Sequence, residues 1–187
     1  MTSVFLLPVV TGIVASSTGG VLAEALYPIS PSHALITTVF CVFLVSIGLC
    51  MACMILTIYY IRLVVYGIPN GPLVLSSFMP LGPMGQAGFS FILIGNSFRT
   101  LLPYTTSSSP FLRSELAGEI VNTACVCVAF CLWCWATMWL IFALLGIFEV
   151  VRKTPIPFHV AFWGLIFPNV RFQRLDPRCR LNRALSH

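Results

Sequence analysis

Two long uncharged stretches constrain this chain more than any other feature of its sequence. Residues 34–61 and 120–148 form runs of 28 and 29 residues without a charged side chain. A hydrocarbon core about 30 Å thick is crossed by about 20 helical residues, because each residue rises about 1.5 Å. Since 58% of the chain is hydrophobic and only 8% is charged, the sequence indicates an all-α integral membrane protein.

Proline and glycine divide the apolar segments into two kinds. We predict helices at about 4–27, 34–62, 73–95, 118–148 and 157–168. The first, third and last contain proline, whereas the second and fourth contain none. A broken helix is tolerated in a membrane only where protein or a water-filled cavity surrounds it. We therefore expect a multi-pass transmembrane helical bundle, with kinked inner helices along a path and straight outer helices against lipid.

The first segment is interpreted as a spanning helix rather than a signal peptide. It has no basic residue before its apolar run and is longer than a signal-peptide core. Gly12, Ser16 and Gly19 share one of its faces, and such small residues pack helices together. A pore wall is the second interpretation, in which the hydroxyl groups of Ser16, Ser17 and Thr18 donate to a passing anion. Both interpretations stay open.

The stretch 75–95 is the least regular of the five segments. It reads LSSFMPLGPMGQAGFSFILIG, and each of its two prolines removes one backbone donor and crowds a carbonyl. We expect a broken helix whose second half begins at Met84, with Pro83 in the first-turn position. Free amide groups of Met84, Gly85 and Gln86 would then carry the positive end of the helix dipole into the middle of the membrane. That arrangement predicts an anion site.

Several other functions find little support in the sequence. Seven of the eight cysteines lie in apolar segments without histidine or carboxylate neighbours, so we interpret them as packing residues rather than copper or zinc ligands. We predict no metal and no cofactor. No phosphate-binding loop, paired carboxylates or activated nucleophile is present, so we predict no enzyme activity. Five of the ten basic residues lie in the last seventeen positions, and we predict no nucleic-acid partner.

The C-terminal part of the chain differs from the rest. The segment 157–168 is about half the length that a span requires, and the arginine-rich residues 170–187 follow it. An odd number of segments and this abrupt change suggest a truncated or misread chain end, with a partial transmembrane domain over residues 1–169. We expect 170–187 to be disordered or a misread chain end.

Three motifs resemble one known family. They are LPVVTGIVASSTGGVLA, PLGPMGQAGFSFILIG and FWGLIFPN, and they are similar to the second half of sulfite exporters in the tellurite-resistance and dicarboxylate transporter family. The resemblance implies a partial form of a ten-helix pore, in which this chain supplies helices five to eight and half of the ninth. It also implies that Phe167 corresponds to a phenylalanine that plugs the pore in the channel branch.

The same resemblance implies a function. It is the outward passage of a small anion, sulfite or hydrogensulfite, across the plasma membrane. An inside-negative potential favours anion exit by about 2.3 kcal/mol per charge per 100 mV. Malate or another dicarboxylate is an alternative substrate, and a non-conducting scaffold or regulatory fragment is an alternative function. Assembly into a homo-oligomer also stays open.

Overall fold

The computed structural model describes residues 7–67, 77–103 and 109–153. Its helices are α1 (Leu7–Leu26), α2 (Pro31–Tyr66), α3 (Leu81–Leu101), the short α4 (Pro110–Arg113) and α5 (Glu115–Lys153). Within these residues, three helical stretches are long and apolar enough to cross a membrane: Pro8–Leu26, Pro31–Tyr66 and Leu116–Val150. The all-helical membrane architecture is therefore confirmed. The predicted segment 157–168 lies outside the described residues.

Helix α2 extends beyond its predicted bounds at both ends. It begins at Pro31, where Ser30 is the N-cap, because proline fits the first turn, in which its missing amide is not needed. It ends before Gly67, whose φ of 75° turns the backbone away from the helix. The Gly67 amide donates to the carbonyl of Leu63 at 3.0 Å. The helix thus stops where glycine permits a left-handed φ.

The start of α3 corrects a prediction. The helix begins at Leu81 rather than Met84 and runs to Leu101, with Pro80 as its N-cap at a φ of −58°. The residues just before it, 77–80, form a short 3₁₀ segment followed by a turn that leads into α3. Pro83 falls in the first helical turn, where a proline leaves no hydrogen bond unmade. Of the earlier half of the predicted broken helix, which ran from residue 73 to the break before Met84, residues 73–76 lie outside the described residues.

Helices α1 and α2 pack as an antiparallel pair joined by a short turn. A Cβ atom on Gly48 would lie only 2.6 Å from Cγ1 of Ile13, so the two backbones approach closely at this level. Nearer the turn, the Ser16 hydroxyl donates to the carbonyl of Cys41 at 2.8 Å. Small residues therefore hold α1 and α2 together, in agreement with the packing interpretation of the first segment.

Helices α3 and α5 form a second antiparallel pair. A Cβ atom on Gly95 would lie 2.8 Å from Oδ1 of Asn122, and one on Gly118 would lie 3.2 Å from the carbonyl oxygen of Phe98. Helix α3 also contacts α1 and α2, and it runs parallel to α1, because Gly20 of α1 meets Leu93 while the last turns of both helices line one cavity. Helix α3 is thus the central element of the bundle.

Burial separates an inner helix from outer ones. All eight residues from Leu81 to Gly88 are buried. The outer faces of α2 and α5 instead expose large apolar side chains, for example Phe40, Phe43, Ile58, Phe130, Ile141 and Leu145. A helix face of this kind suits acyl chains rather than water. The predicted arrangement of an irregular helix inside and straight helices outside is confirmed for α3, α2 and α5.

Candidate functional site

A buried polar layer crosses the bundle halfway along α2. The uncharged run 34–61 of α2 has its midpoint near Gly48, which packs against Ile13 of α1. At the same level Ser90 of α3 donates a hydrogen bond to the Ile13 carbonyl at 3.3 Å. Since the ends of an uncharged span lie near the two membrane surfaces, this layer falls near the middle of the hydrocarbon core.

We call Ser16, Ser17, Gln86 and Ser90 the polar cluster. Each of these residues is at most 4% exposed. Gln86 Nε2 donates to Ser17 Oγ, and Ser17 Oγ in turn donates to the carbonyl of Val14 at 2.8 Å. Ser90 Oγ also lies 3.1 Å from the carbonyl of Gln86. The cluster therefore connects α1 and α3 through neutral groups, with no charged side chain among its members.

One atom of the polar cluster has no partner. Gln86 is fully buried, yet its Oε1 accepts no hydrogen bond. An unpaired buried acceptor costs about 1–3 kcal/mol, and such a group in a native protein calls for an explanation such as a water or a ligand. The oxygen accepts from any molecule that brings an O–H or N–H group. The middle of the bundle thus contains a neutral buried acceptor without a partner.

The backbone amides at the start of α3 are largely occupied, contrary to prediction. The prediction of free amides concerned Met84, Gly85 and Gln86. Because α3 begins at Leu81, these three are its fourth to sixth residues, whose amides donate to carbonyls four residues earlier. Among the positions left without an intrahelical partner, Pro80 and Pro83 have no N–H, and Gly82 donates to the carbonyl of Met79 at 3.1 Å. The two prolines therefore remove donors from the helix end.

The hydroxyl groups of the adjacent residues Ser16, Ser17 and Thr18 point in different directions. Ser16 bonds to α2 and Ser17 bonds to α3, whereas Thr18 is exposed and donates to the carbonyl of Val14 in its own helix at 3.0 Å. Gly19 faces Cys41 and Thr37 of α2. Packing thus accounts for Ser16 and Gly19, and only Ser17 joins the buried carboxamide.

Two further residues predicted to line an anion path, Gly12 and Phe167, are not part of the polar cluster as described. A Cβ atom on Gly12 would have no neighbour within 4 Å, so Gly12 faces open space. Phe167 lies outside the described residues. Ser90 was missed from the sequence, although it follows Gln86 by four residues and so lies on the same helix face. A role of these residues in an anion path stays a prediction.

The cysteines do not gather into a metal site within residues 7–67, 77–103 and 109–153. No group of three or more histidine, cysteine, aspartate or glutamate side chains lies close enough there to hold a metal ion. Cys50, Cys127, Cys131 and Cys134 are exposed on the outer faces of α2 and α5, and Cys41 is buried between α1 and α2. Their positions fit residues that pack against helices and lipid.

The helical bundle and its buried neutral layer define a multi-pass membrane protein. The chain belongs to the voltage-dependent anion channel family, whose model matches residues 1–173. The family resemblance of the three sequence motifs is therefore confirmed. No solved structure matches the chain at a significant level.

Curated relatives of this chain are sulfite efflux pumps of fungi. The sulfite efflux pump SSU1 of Arthroderma otae is 32% identical over 168 residues, and that of Arthroderma benhamiae is 30% identical over the same length. The protein of this name in Candida albicans is 27% identical over 182 residues. The alignments cover 90% of this chain but 42%, 42% and 35% of those proteins. The chain thus spans less than half the length of these relatives.

Proposed function

We propose that this chain is part of a protein that moves a small anion across the plasma membrane, and that hydrogensulfite is the anion. The observation that carries the proposal is the buried Gln86 carboxamide, whose Oε1 lacks a partner in a charge-free layer of the bundle. Membership of the anion channel family supports the anion class. The names of the relatives support sulfite as the substrate.

Hydrogensulfite matches the chemistry of the polar cluster. Its O–H group is a donor for Gln86 Oε1, and its other oxygens are acceptors for hydroxyl groups. Ser17 donates to the carbonyl of Val14, and the one hydroxyl proton of Ser90 is shared between the carbonyls of Ile13 and Gln86. All three carbonyls also accept helical amides. The two hydroxyl groups can therefore turn toward an anion without leaving those carbonyls unpaired. A fully deprotonated dianion offers Oε1 no donor.

The polar cluster contains no charged side chain, which favours weak binding and release of the anion over tight binding. An ion must bind well enough to enter the membrane and weakly enough to leave it. A buried arginine would hold the anion through charge-assisted hydrogen bonds, which are roughly twice as strong as neutral ones. An inside-negative potential of 100 mV favours exit of a monovalent anion by about 2.3 kcal/mol. The potential alone therefore suffices to drive efflux in this proposal.

The test is sulfite flux from vesicles that contain the purified chain. We expect Gln86→Leu to lower the flux about tenfold, which corresponds to the loss of one hydrogen bond to the anion. Thr18→Val is the matched control, because Thr18 is exposed and its hydroxyl bonds only within α1. Vesicles without protein correct for passive leakage.

Two results would contradict the proposal. A purified chain without sulfite flux above that of empty vesicles would exclude transport by this chain on its own and favour a non-conducting scaffold. A chain that carries malate at a higher rate than sulfite would exclude hydrogensulfite as the preferred anion. We expect the flux also to rise as the pH inside the vesicles falls, because the protonated fraction of sulfite increases.

A further inference from the structure

The last turns of α1 and α3 line a half-open cavity at one end of the bundle. Its volume is about 130 Å³, and its lining consists of Ala23, Glu24, Tyr27, Ser97, Thr100 and Leu101. Ser97 follows Gln86 by eleven residues, which places the cavity about 16 Å along α3 from the polar cluster. The cavity is therefore separate from the polar cluster.

The electrostatic environment of this cavity favours a cation. Because α1 and α3 run parallel, both carboxyl-terminal ends meet here, and each carries about half a negative charge from its helix dipole. Glu24 adds a carboxylate. The last turn of α1 contains no basic residue. Arg99 in the last turn of α3 is engaged with Glu119, at 2.8 Å between Nε and Oε1.

The cavity lining presents acceptors, one of them unused. Ser97 is only 4% exposed, and its Oγ has no hydrogen-bond partner. Thr100 already donates its hydroxyl proton to the carbonyl of Asn96 at 2.9 Å, so its oxygen is left to accept. Together with the Glu24 carboxylate, these groups provide three oxygen acceptors around one space. An unpaired buried hydroxyl in a lining of this kind indicates a missing polar ligand.

We propose that this cavity binds a primary ammonium group on a short carbon stem. An ammonium has three N–H donors and no acceptor, which corresponds to the acceptors of Glu24, Ser97 and Thr100. Tyr27 also lines the cavity, and aromatic rings attract cations. An apolar cavity of about 150 Å³ holds benzene, so 130 Å³ is enough for ethanolamine. The source of the group is a lipid headgroup or a free amine, because helix ends and tyrosine are typical of the membrane interface.

Binding of ethanolamine to the full chain in phosphatidylcholine nanodiscs tests the proposal. We expect ethanolamine to raise the melting temperature, and Glu24→Gln to weaken the affinity about tenfold or more through loss of a charge-assisted hydrogen bond. Ser97→Ala should weaken it less. Glu149→Gln is the control, because it removes a carboxylate near the other end of the bundle, outside the cavity, and leaves the pair of Arg99 and Glu119 intact. Circular dichroism establishes that each variant is folded.

The outcomes distinguish the ligand and its source. If phosphatidylethanolamine in the nanodisc raises the melting temperature and abolishes the response to added ethanolamine, the lipid headgroup is the ligand. If the response to free ethanolamine persists in that lipid, the free amine is the ligand. The proposal would be overturned if potassium chloride raised the melting temperature as much as ethanolamine does. It would also be overturned if ethanolamine raised the melting temperature of Glu24→Gln as much as that of the unmodified chain.

Discussion

The carboxamide of Gln86 on α3 donates a hydrogen bond to the hydroxyl of Ser17 on α1, 69 residues earlier in the chain. Both residues are buried. The bond joins two parallel helices near the middle of the membrane, where water is not available to replace it. It leaves Gln86 Oε1 as an unpaired acceptor, so the same side chain both fixes the helix pair and offers a polar atom to a ligand.

Coupling between Ser17 and Gln86 is the first prediction. Ser17→Ala leaves Gln86 Nε2 without an acceptor and is expected to lower the free energy of unfolding by about 1–3 kcal/mol. Gln86→Leu removes both the donor and the acceptor of the carboxamide. Ser17→Ala should therefore lower the free energy of unfolding much less in the Gln86→Leu background than in the unmodified chain. Reversible unfolding in mixed micelles measures the double-mutant cycle, with Thr18→Ala as the control. Additive effects would show that the bond is not formed in solution.

The close approach of α1 and α2 gives a second prediction. Gly48→Ala places a Cβ atom 2.6 Å from Cγ1 of Ile13, so we expect a loss of about 1–3 kcal/mol in the free energy of unfolding. Gly12→Ala is the matched control, because it meets no atom within 4 Å. Alanine is favoured over glycine in a helix, so this control should gain stability. Equal effects at both positions would contradict the described packing.

The buried indole of Trp139 gives a third prediction. Trp139 is 2% exposed and contacts the rings of Tyr59 and Tyr60 at centroid distances of 5.8 and 6.1 Å. We expect Trp139→Ala to lower the free energy of unfolding by about 3–5 kcal/mol through the cavity that it leaves. Ile141→Ala on the exposed side of α5 is the control, since lipid tails replace the lost contact. The melting temperature in detergent measures both.

The ion pair between Arg99 and Glu119 gives a fourth prediction, of a small effect. The two side chains are 59% and 54% exposed, and pairs of this kind contribute about 0.2–1 kcal/mol. We therefore expect Glu119→Gln to change the melting temperature only slightly, and the difference from the unmodified chain to shrink as salt is added. A large loss of stability would show that the pair is buried in the assembled protein.

The membrane-spanning helices were predictable from the sequence because the signal is local. An apolar run of 28 residues without charge favours the hydrocarbon core over water, whichever helices it packs against. The prolines near the start of α3 also mark where a helix begins, as the sequence predicts. The sequence predicts that the helix begins at Met84, whereas it begins at Leu81. The reason is that the sequence does not reveal which proline caps the helix and which lies inside the first turn.

Tertiary structure decided which polar groups are used. Ser16, Ser17 and Thr18 are adjacent in sequence, yet they face α2, α3 and the outside, because successive helical residues point about 100° apart. The part that Ser90 plays in the polar cluster depends on α1, because its hydroxyl contacts the carbonyl of Ile13. The sequence by itself determined the helices and the membrane environment. Only the packing of α1 against α3 determined where a buried acceptor is left unpaired, since that depends on partners distant in the chain.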